Sequence, residues 1–162
     1  MLFRSGGSAP KHVEQLVEEN HLRWDSLGEF CALGESLRFL STAKSSSAAA
    51  VLGDAVDAAT ERLLREGRSP QRKVGQPDNR DSHFWFACYW AEALATQTTD
   101  PDIAAAFADL SAALTAKEDA ILAELAAGRG QSVDLGGYYN TVDEKTAVVM
   151  RPSTTFNSLM DG

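Results

Sequence analysis

Residues 100–127, DPDIAAAFADLSAALTAKEDAILAELAA, decide the fold class of this chain. The stretch is rich in helix-forming residues, and Asp100 stands directly before Pro101, a pair that is typical of a helix N-terminus. Large apolar side chains recur at the spacing of one helix face, at Ile103, Phe107, Leu110, Leu114, Ile121 and Leu125. We therefore predict a long helix that Asp100 caps and that ends near Ala127.

Shorter segments outside this stretch repeat the helical spacing, and serine, glycine and proline clusters separate them. No alternation of strands with helices is visible. The longest polar connection, residues 67–82, is predicted to be a loop, and loops of this length are often functional. The sequence predicts a mostly α, multi-helix domain fragment with an irregular C-terminal tail. The further predicted helices are Pro10–Asn20, Ser26–Thr42, Ala48–Arg65, Ser82–Thr98 and Asp143–Met150.

Composition excludes several classes of protein. The net charge of −8 argues against a nucleic-acid partner, and no apolar run is long enough to cross a bilayer. Cys31 and Cys88 each lie in an apolar helical pattern, so we predict two buried, reduced thiols and a cytoplasmic location. One basic cluster suits a single phosphate group: Arg65, Arg68, Arg72, Lys73 and Arg80.

The first residues show an unusual order of features. Residues 1–5, Met-Leu-Phe-Arg-Ser, lack the apolar core of a signal peptide, and a glycine-rich run follows them at once. Such runs normally join two elements of structure. We therefore expect residues 1–5 to be a non-native leader, residues 6–162 to be a single incomplete domain, and the natural chain to continue upstream.

The glycine-rich run is the first candidate anion site. It reads Gly6-Gly7-Ser8-Ala9-Pro10-Lys11-His12. Small residues let backbone N–H groups approach an anion, and a helix that starts at Pro10 would point its positive end there. The same residues also fit an ordinary capped helix start. They lack the glycine spacing and the preceding strand of a Rossmann dinucleotide fingerprint.

Arg23 is the second candidate, because it directly follows the first predicted helix. Its guanidinium could return toward the same helix end and bind a phosphate with two hydrogen bonds. Trp24 fits either a core position or a lid over the helix junction. Asp25 fits the cap of the next helix.

The loop at residues 69–75, Ser-Pro-Gln-Arg-Lys-Val-Gly, is the third candidate. Arg72 and Lys73 could clamp a phosphate in this rigid setting, or they could belong to a solvated charged loop. His21 and His83 have no partner at metal-ligand spacing, and no catalytic triad or metal motif is present. From its residues alone, the chain is a helical domain with one plausible anion site.

An ordered series of motifs resembles the C-terminal end of the monomeric NADP-dependent isocitrate dehydrogenases, and the likeness extends from Gly6 over nearly the whole chain. Single motifs are weak, whereas the ordered set is specific. The motifs begin at Gly6-Gly7-Ser8-Ala9-Pro10-Lys11-His12-Val13 and continue with His21-Leu22-Arg23-Trp24-Asp25-Ser26-Leu27-Gly28-Glu29-Phe30, Ser69-Pro70-Gln71-Arg72-Lys73-Val74-Gly75, Asp78-Asn79-Arg80, Ser82-His83-Phe84, Gly136-Gly137-Tyr138-Tyr139 and Met150-Arg151-Pro152-Ser153.

The resemblance implies the C-terminal portion of an isocitrate/isopropylmalate dehydrogenase-like fold. The family enzyme is monomeric, serves the tricarboxylic acid cycle and glyoxylate bypass, and converts isocitrate and NADP to 2-oxoglutarate, carbon dioxide and NADPH with Mg²⁺ or Mn²⁺. Its metal and isocitrate ligands lie upstream, so the resemblance implies no catalytic or metal residue here and a chain that is inactive alone. An alternative is a non-catalytic helical module that binds a nucleotide phosphate or another protein.

The resemblance also implies which residues meet the cofactor. Gly7 and Ser8 would contact NADP through the glycine run, and Trp24 and Asp25 would lie beside its adenosine 2′-phosphate. The residues expected to surround that phosphate are His12, Arg23 and Arg72.

Overall fold

The structure, a computed structural model, describes residues 5–162, with side chains from Pro10 onward. Within these residues there are seven α-helices and no strand, which confirms the mostly α prediction. The predicted bounds of the second to sixth helices are correct to within three residues. The helices are α1 (Ser5–Glu19), α2 (Leu27–Lys44), α3 (Ser47–Arg65), α4 (Asn79–Thr96), α5 (Pro101–Ala126), α6 (Asp143–Met150) and α7 (Thr154–Asp161).

The predicted start of the first helix was wrong. Helix α1 begins at Ser5 instead of Pro10, so residues 6–9 are helical and do not form a loop. Proline fixes φ near the helical value, and at Pro10 it removes the hydrogen bond that would reach the Gly6 carbonyl. Residues 1–4 of the predicted leader lie outside the described residues, and that assignment stays a prediction.

The prediction of an irregular C-terminal tail was wrong for Thr154–Asp161, which form α7. The Ser153 hydroxyl accepts a hydrogen bond of 3.0 Å from the Phe156 backbone N–H and caps this helix. Glu124 of α5 accepts hydrogen bonds from the Ser153 hydroxyl at 2.6 Å and from the Thr155 hydroxyl at 2.7 Å. The tail is therefore ordered by a cap and by a carboxylate of a neighbouring helix.

Helix α4 lies at the centre of the main core. It packs between α3 and α5, while α2 packs on α3 and α7 packs on α5. The Phe86 ring stacks on Phe30 of α2 with a centroid distance of 4.0 Å. Phe84, Leu114 and Ile121 have no exposed surface. Burial on several sides explains why α4 carries so many aromatic residues.

Helix α1 is joined to the C-terminal segment through a second, smaller core. Leu16 packs there with Leu135 and Val149. The backbone N–H of Val133 donates to the Val17 carbonyl at 2.8 Å, and that of Gly130 donates to the Glu19 carbonyl at 2.8 Å. These bonds fix the C-terminal half of α1 and the position of the connection that follows it.

The two cysteines differ in exposure, so the prediction of two buried thiols was wrong for one of them. Cys88 is buried, and burial raises the pKa of its thiol to about 12. Cys31 is exposed, because α2 buries only the face that carries Phe30 and Gly34. None of the described helices combines the length and apolarity that a membrane crossing requires.

Candidate functional site

The connection between α1 and α2, residues 20–26, is held by the first residues of α4. The Leu22 backbone N–H donates to Asp78 Oδ2 at 3.1 Å, and the Asn79 backbone N–H donates to the Leu22 carbonyl at 2.8 Å. The Asn79 side-chain amide donates to the Trp24 carbonyl at 2.8 Å and to Ser26 Oγ at 3.0 Å. The backbone on both sides of Arg23 is therefore fixed.

Trp24 lies over the junction of α1 and α2. Its ring meets the His12 ring edge-on, with centroids 5.6 Å apart, and its Nε1–H donates to Glu29 Oε1 at 3.0 Å. The side chain remains 38% exposed, which fits a lid and not a core residue. Asp25 Oδ1 accepts from the Leu27 backbone N–H at 3.0 Å, so Asp25 helps to start α2.

The loop that carries Arg72 lies against α1 and the same connection. Gln15 Nε2 donates to the Arg72 carbonyl at 3.2 Å. The buried His21 ring lies with Nε2 at 2.8 Å from the Gln71 carbonyl and must donate to it, because a carbonyl only accepts. Gln15 is one helical turn from His12, so the Arg72 backbone and the Trp24 ring both meet α1 within one turn.

The structure thus brings together the segments that carry His12, Arg23 and Arg72, as well as Trp24. Gly7 and Ser8 are in the N-terminal part of α1, one to two turns before His12. Backbone N–H groups in the first turn of a helix have no partner inside it.

Arg23 and Arg72 differ from every other arginine in the described residues. No carboxylate of these residues forms an ion pair with either side chain, whereas Arg23 Nε is buried without a hydrogen-bond partner just as Nε of the paired Arg68 and Arg129 is. Arg23 is half-buried and Arg72 is exposed, so either side chain could pair with an anion from solution. The arginines that do form ion pairs are Arg38, Arg62, Arg65, Arg68, Arg80, Arg129 and Arg151.

Three of the five cations in the basic cluster predicted from the sequence form ion pairs with carboxylates. Arg65 pairs with Glu61 at 3.6 Å, and Arg68 pairs with Glu66 at 3.9 Å. Arg80 is buried in a pair with Asp78. These three cations are already neutralised by neighbours in the sequence, which leaves the exposed Arg72 and Lys73 available to a ligand.

A buried polar network beneath the connection has a role that sequence reasoning did not assign. Asn20 ends α1 with a left-handed φ of 45° and accepts hydrogen bonds from Arg80 at its carbonyl and at Oδ1, both at 2.8 Å. Arg80 also donates to the Val149 carbonyl at 2.8 Å. Asp81 pairs with Arg129 and caps α4 together with Asp78. The Asp-x-x-Asp spacing before an aromatic helix was the available signal.

Within this network the negative charge of Asp78 is balanced by its direct contact with the Arg80 guanidinium. Burial acts to raise the pKa of Asp78, but hydrogen bonds and charge from Arg80 outweigh it and lower the pKa below its usual value. Asp78 has no exposed surface and Arg80 is 5% exposed. The network therefore serves to join α1, α4 and the C-terminal segment, and it has no free cation for a ligand.

Comparison with known proteins identifies the family. The model of the monomeric isocitrate dehydrogenase family matches residues 2–161. The chain is 55% identical over 157 residues to isocitrate dehydrogenase (NADP) of Corynebacterium efficiens and 54% identical over 157 residues to that of Corynebacterium glutamicum. It is 52% identical over 157 residues to isocitrate dehydrogenase (NADP) 2 of Mycobacterium tuberculosis.

These matches cover 97% of the chain and 22%, 21% and 21% of the three relatives. The chain thus spans about a fifth of the length of the curated relatives that it matches. The family match itself extends over nearly every residue, and the resemblance seen in the ordered motifs is confirmed. The chain belongs to the monomeric isocitrate dehydrogenase family.

Proposed function

We propose that this chain is the C-terminal part of an NADP-dependent isocitrate dehydrogenase and contributes the site for the adenosine 2′-phosphate of NADP. The complete enzyme would oxidise and decarboxylate isocitrate to 2-oxoglutarate, with NADP as the hydride acceptor. The observation that carries the proposal is the pair Arg23 and Arg72. These are the described arginines without an ion-pair partner, and their segments meet the same turn of α1.

The charge of the ligand matches the charge of this site. A phosphate monoester carries between one and two negative charges near neutral pH, and hydrogen bonds from guanidinium groups to phosphate are charge-assisted. Arg23, Arg72 and His12 would share the 2′-phosphate oxygens. The same site would disfavour NAD, because its cations would then stay unpaired.

Trp24 and Asp25 would act beside the phosphate. The exposed face of Trp24 can cover the ligand, and its edge contact fixes the His12 ring. Asp25 has one oxygen engaged by the Leu27 N–H, so its contribution would be to orient the segment. Gly7 and Ser8 would meet the cofactor from the N-terminal part of α1, with Ala9 and Lys11 nearby.

Catalysis would require residues outside this chain. Within the described residues no group of three or more His, Cys, Asp or Glu side chains could hold a metal ion. In this proposal the Mg²⁺ or Mn²⁺ ion and isocitrate are held by other parts of a longer, monomeric, cytoplasmic enzyme. We expect no NADPH formation from isocitrate by the purified 162-residue chain, and measurable NADPH production would contradict this assignment.

The binding site is tested by titration calorimetry with 2′,5′-ADP and 5′-AMP. The parent chain is expected to prefer 2′,5′-ADP, because only this ligand carries the 2′-phosphate. Arg23→Ala and Arg72→Ala are each expected to weaken 2′,5′-ADP binding roughly tenfold or more, the size of a lost charged hydrogen bond. Arg65→Ala is the matched control, because Arg65 is exposed and pairs with Glu61.

A second candidate function is a helical interaction module, and a cavity favours it. A cavity of about 430 Å³ lies between α4 and the C-terminal helices, and Phe86, Trp90 and Phe156 are among the mainly apolar residues around it. None of the predicted NADP residues lines this cavity. If both arginine variants bind 2′,5′-ADP as the parent does, the interaction module becomes the better assignment.

A further inference from the structure

The side chain of Asn79 connects α4 to the segment that carries Arg23. It is 5% exposed, and its amide N–H groups are both used: one donates to the Trp24 carbonyl at 2.8 Å, and the other donates to Ser26 Oγ at 3.0 Å. Asn79 therefore bonds to Trp24, which directly follows Arg23, and to Ser26, which lies two positions after Trp24. No other described side chain donates a hydrogen bond to the Trp24 carbonyl.

The backbone of Asn79 adds one more link to this segment. Its N–H donates to the Leu22 carbonyl at 2.8 Å, while its own carbonyl accepts from His83 Nδ1 of the same helix at 2.9 Å. The preceding residue, Asp78, accepts from the Leu22 N–H. Residues 22 and 24 are thus held on both sides of Arg23, whereas the Arg23 side chain itself has no partner in the described residues.

In this arrangement Arg23 would bind the phosphate, whereas Asn79 would fix the backbone from which the Arg23 side chain extends. An arginine side chain has many rotamers, and a free guanidinium gains a defined direction only if its backbone is fixed. The links from α4 fix that backbone, and the edge contact of Trp24 with His12 depends on the same carbonyl position. Movement of residues 22–26 would separate Arg23 and Trp24 from His12 together.

We propose that Asn79 is a positioning residue for the nucleotide 2′-phosphate site and that it sets the preference for a phosphorylated ribose through Arg23 and Trp24. This inference rests on the proposed function and deepens it. Asn79 does not touch the ligand in this scheme. Its loss would weaken contacts to the 2′-phosphate and leave contacts to the rest of the nucleotide unchanged.

The test measures the affinities of the 162-residue chain for 2′,5′-ADP and 5′-AMP. Asn79→Ala is expected to lower the affinity for 2′,5′-ADP roughly tenfold, as loss of an orienting hydrogen bond does at other sites, while 5′-AMP binding stays the same. Asn157→Ala is the matched control, because Asn157 also donates from its amide to a backbone carbonyl, that of Arg151 at 2.9 Å. We expect this control to bind both ligands as the parent does.

A second variant guards against a fold defect. Asn79→Ser keeps a polar residue that suits the start of a helix but is too short to reach the Trp24 carbonyl, so it should show the same selective loss. The NMR shifts of the His12 ring, which lies at the edge of Trp24, should move in both Asn79 variants and stay in Asn157→Ala.

The outcomes separate this inference from the proposed function. If the parent shows no preference for 2′,5′-ADP, or Arg23→Ala binds as the parent does, the proposed function fails and this inference fails with it. If Arg23→Ala loses the preference and folded Asn79→Ala or Asn79→Ser keeps it, the positioning role alone is overturned. An equal loss for both ligands would also overturn it, because it indicates general destabilisation.

Discussion

Arg23 lies within the connection between α1 and α2, and Arg80 donates hydrogen bonds to it at Asn20. Their guanidinium groups are nevertheless in opposite situations. Arg80 is buried and donates to Asp78, to Asn20 and to the Val149 carbonyl. Arg23 is half-buried, and its Nε has no partner in the described residues. The two arginines are therefore suited to different tasks in the same small region.

The difference separates charge that maintains the fold from charge that is available to a ligand. A buried, fully bonded ion pair fixes elements relative to each other, and removing one partner leaves the other charge uncompensated. A cation without an ion-pair partner is a candidate for anion binding. The described structure contains both kinds side by side, joined by residues 20–26.

The largest expected effect is on stability and comes from Arg80→Ala. The change leaves Asp78 buried without its cation and removes the bonds to Asn20 and Val149, so we expect the free energy of unfolding to fall by about 3–5 kcal/mol. Urea unfolding followed by circular dichroism measures it. Arg38→Ala is the control, because Arg38 forms an exposed pair with Asp57, and its loss should cost about 1 kcal/mol or less. Equal losses in the two variants would contradict the assigned role of the network.

The next effect concerns Arg23→Ala, which should change ligand binding and, unlike Arg80→Ala, should hardly change stability. Without ligand, this variant should unfold within about 0.5 kcal/mol of the parent, because it breaks no hydrogen bond in the described residues. A saturating ligand stabilises a folded protein, by about 2.7 kcal/mol at a hundred times its Kd. We expect 2′,5′-ADP to raise the Tm of the parent and to raise that of Arg23→Ala much less at the same concentration. A large loss of stability in ligand-free Arg23→Ala would assign Arg23 to the fold.

The fold could be predicted well because helical periodicity is a local property. The start of α5 follows from Asp100, which caps it, and its length follows from the apolar spacing that continues along it. The start of α1 was misplaced because proline favours, but does not require, the first turn. Helix α7 was missed because its order depends on Glu124 of α5, a contact at a separation that local patterns do not contain.

The site could be predicted only in part. Spacing alone suggested a phosphate near Arg23 and near Arg72, and the motif series joined these suggestions. Pairing is a three-dimensional property, so the sequence could not show that Arg65, Arg68 and Arg80 are neutralised while Arg23 and Arg72 are not. It also gave no role to Asn79, whose partners are 53 and 55 positions away.

Acid should weaken the paired network. Burial acts to raise the pKa of Asp78, and Arg80 outweighs it, so the folded pKa lies below the ordinary value of 3.8. A carboxylate with a depressed folded pKa contributes stability that is present above its unfolded pKa and is lost as pH falls through the folded one. The free energy of unfolding should decline below about pH 3.8, and Asp78→Asn should decline less steeply. Asp54→Asn, at an exposed position on α3, should follow the parent. A decline in Asp78→Asn as steep as the parent's would contradict this role of Asp78.

The smallest expected effect distinguishes Arg23 and Arg72, the two arginines proposed to bind the phosphate, by their exposure. Arg72 is exposed, whereas Arg23 is half-buried, and salt screens exposed charges more strongly, with a Debye length of about 3 Å at 1 M. The loss of 2′,5′-ADP affinity in Arg72→Ala should therefore shrink between low salt and about 1 M sodium chloride, while the loss in Arg23→Ala persists. Titrations of both variants and of Lys117→Ala, a change at an exposed position on α5, would measure this. An identical salt dependence for both arginine variants would mean that they meet the phosphate in equally solvated positions, and burial of Arg23 would then have no part in its function.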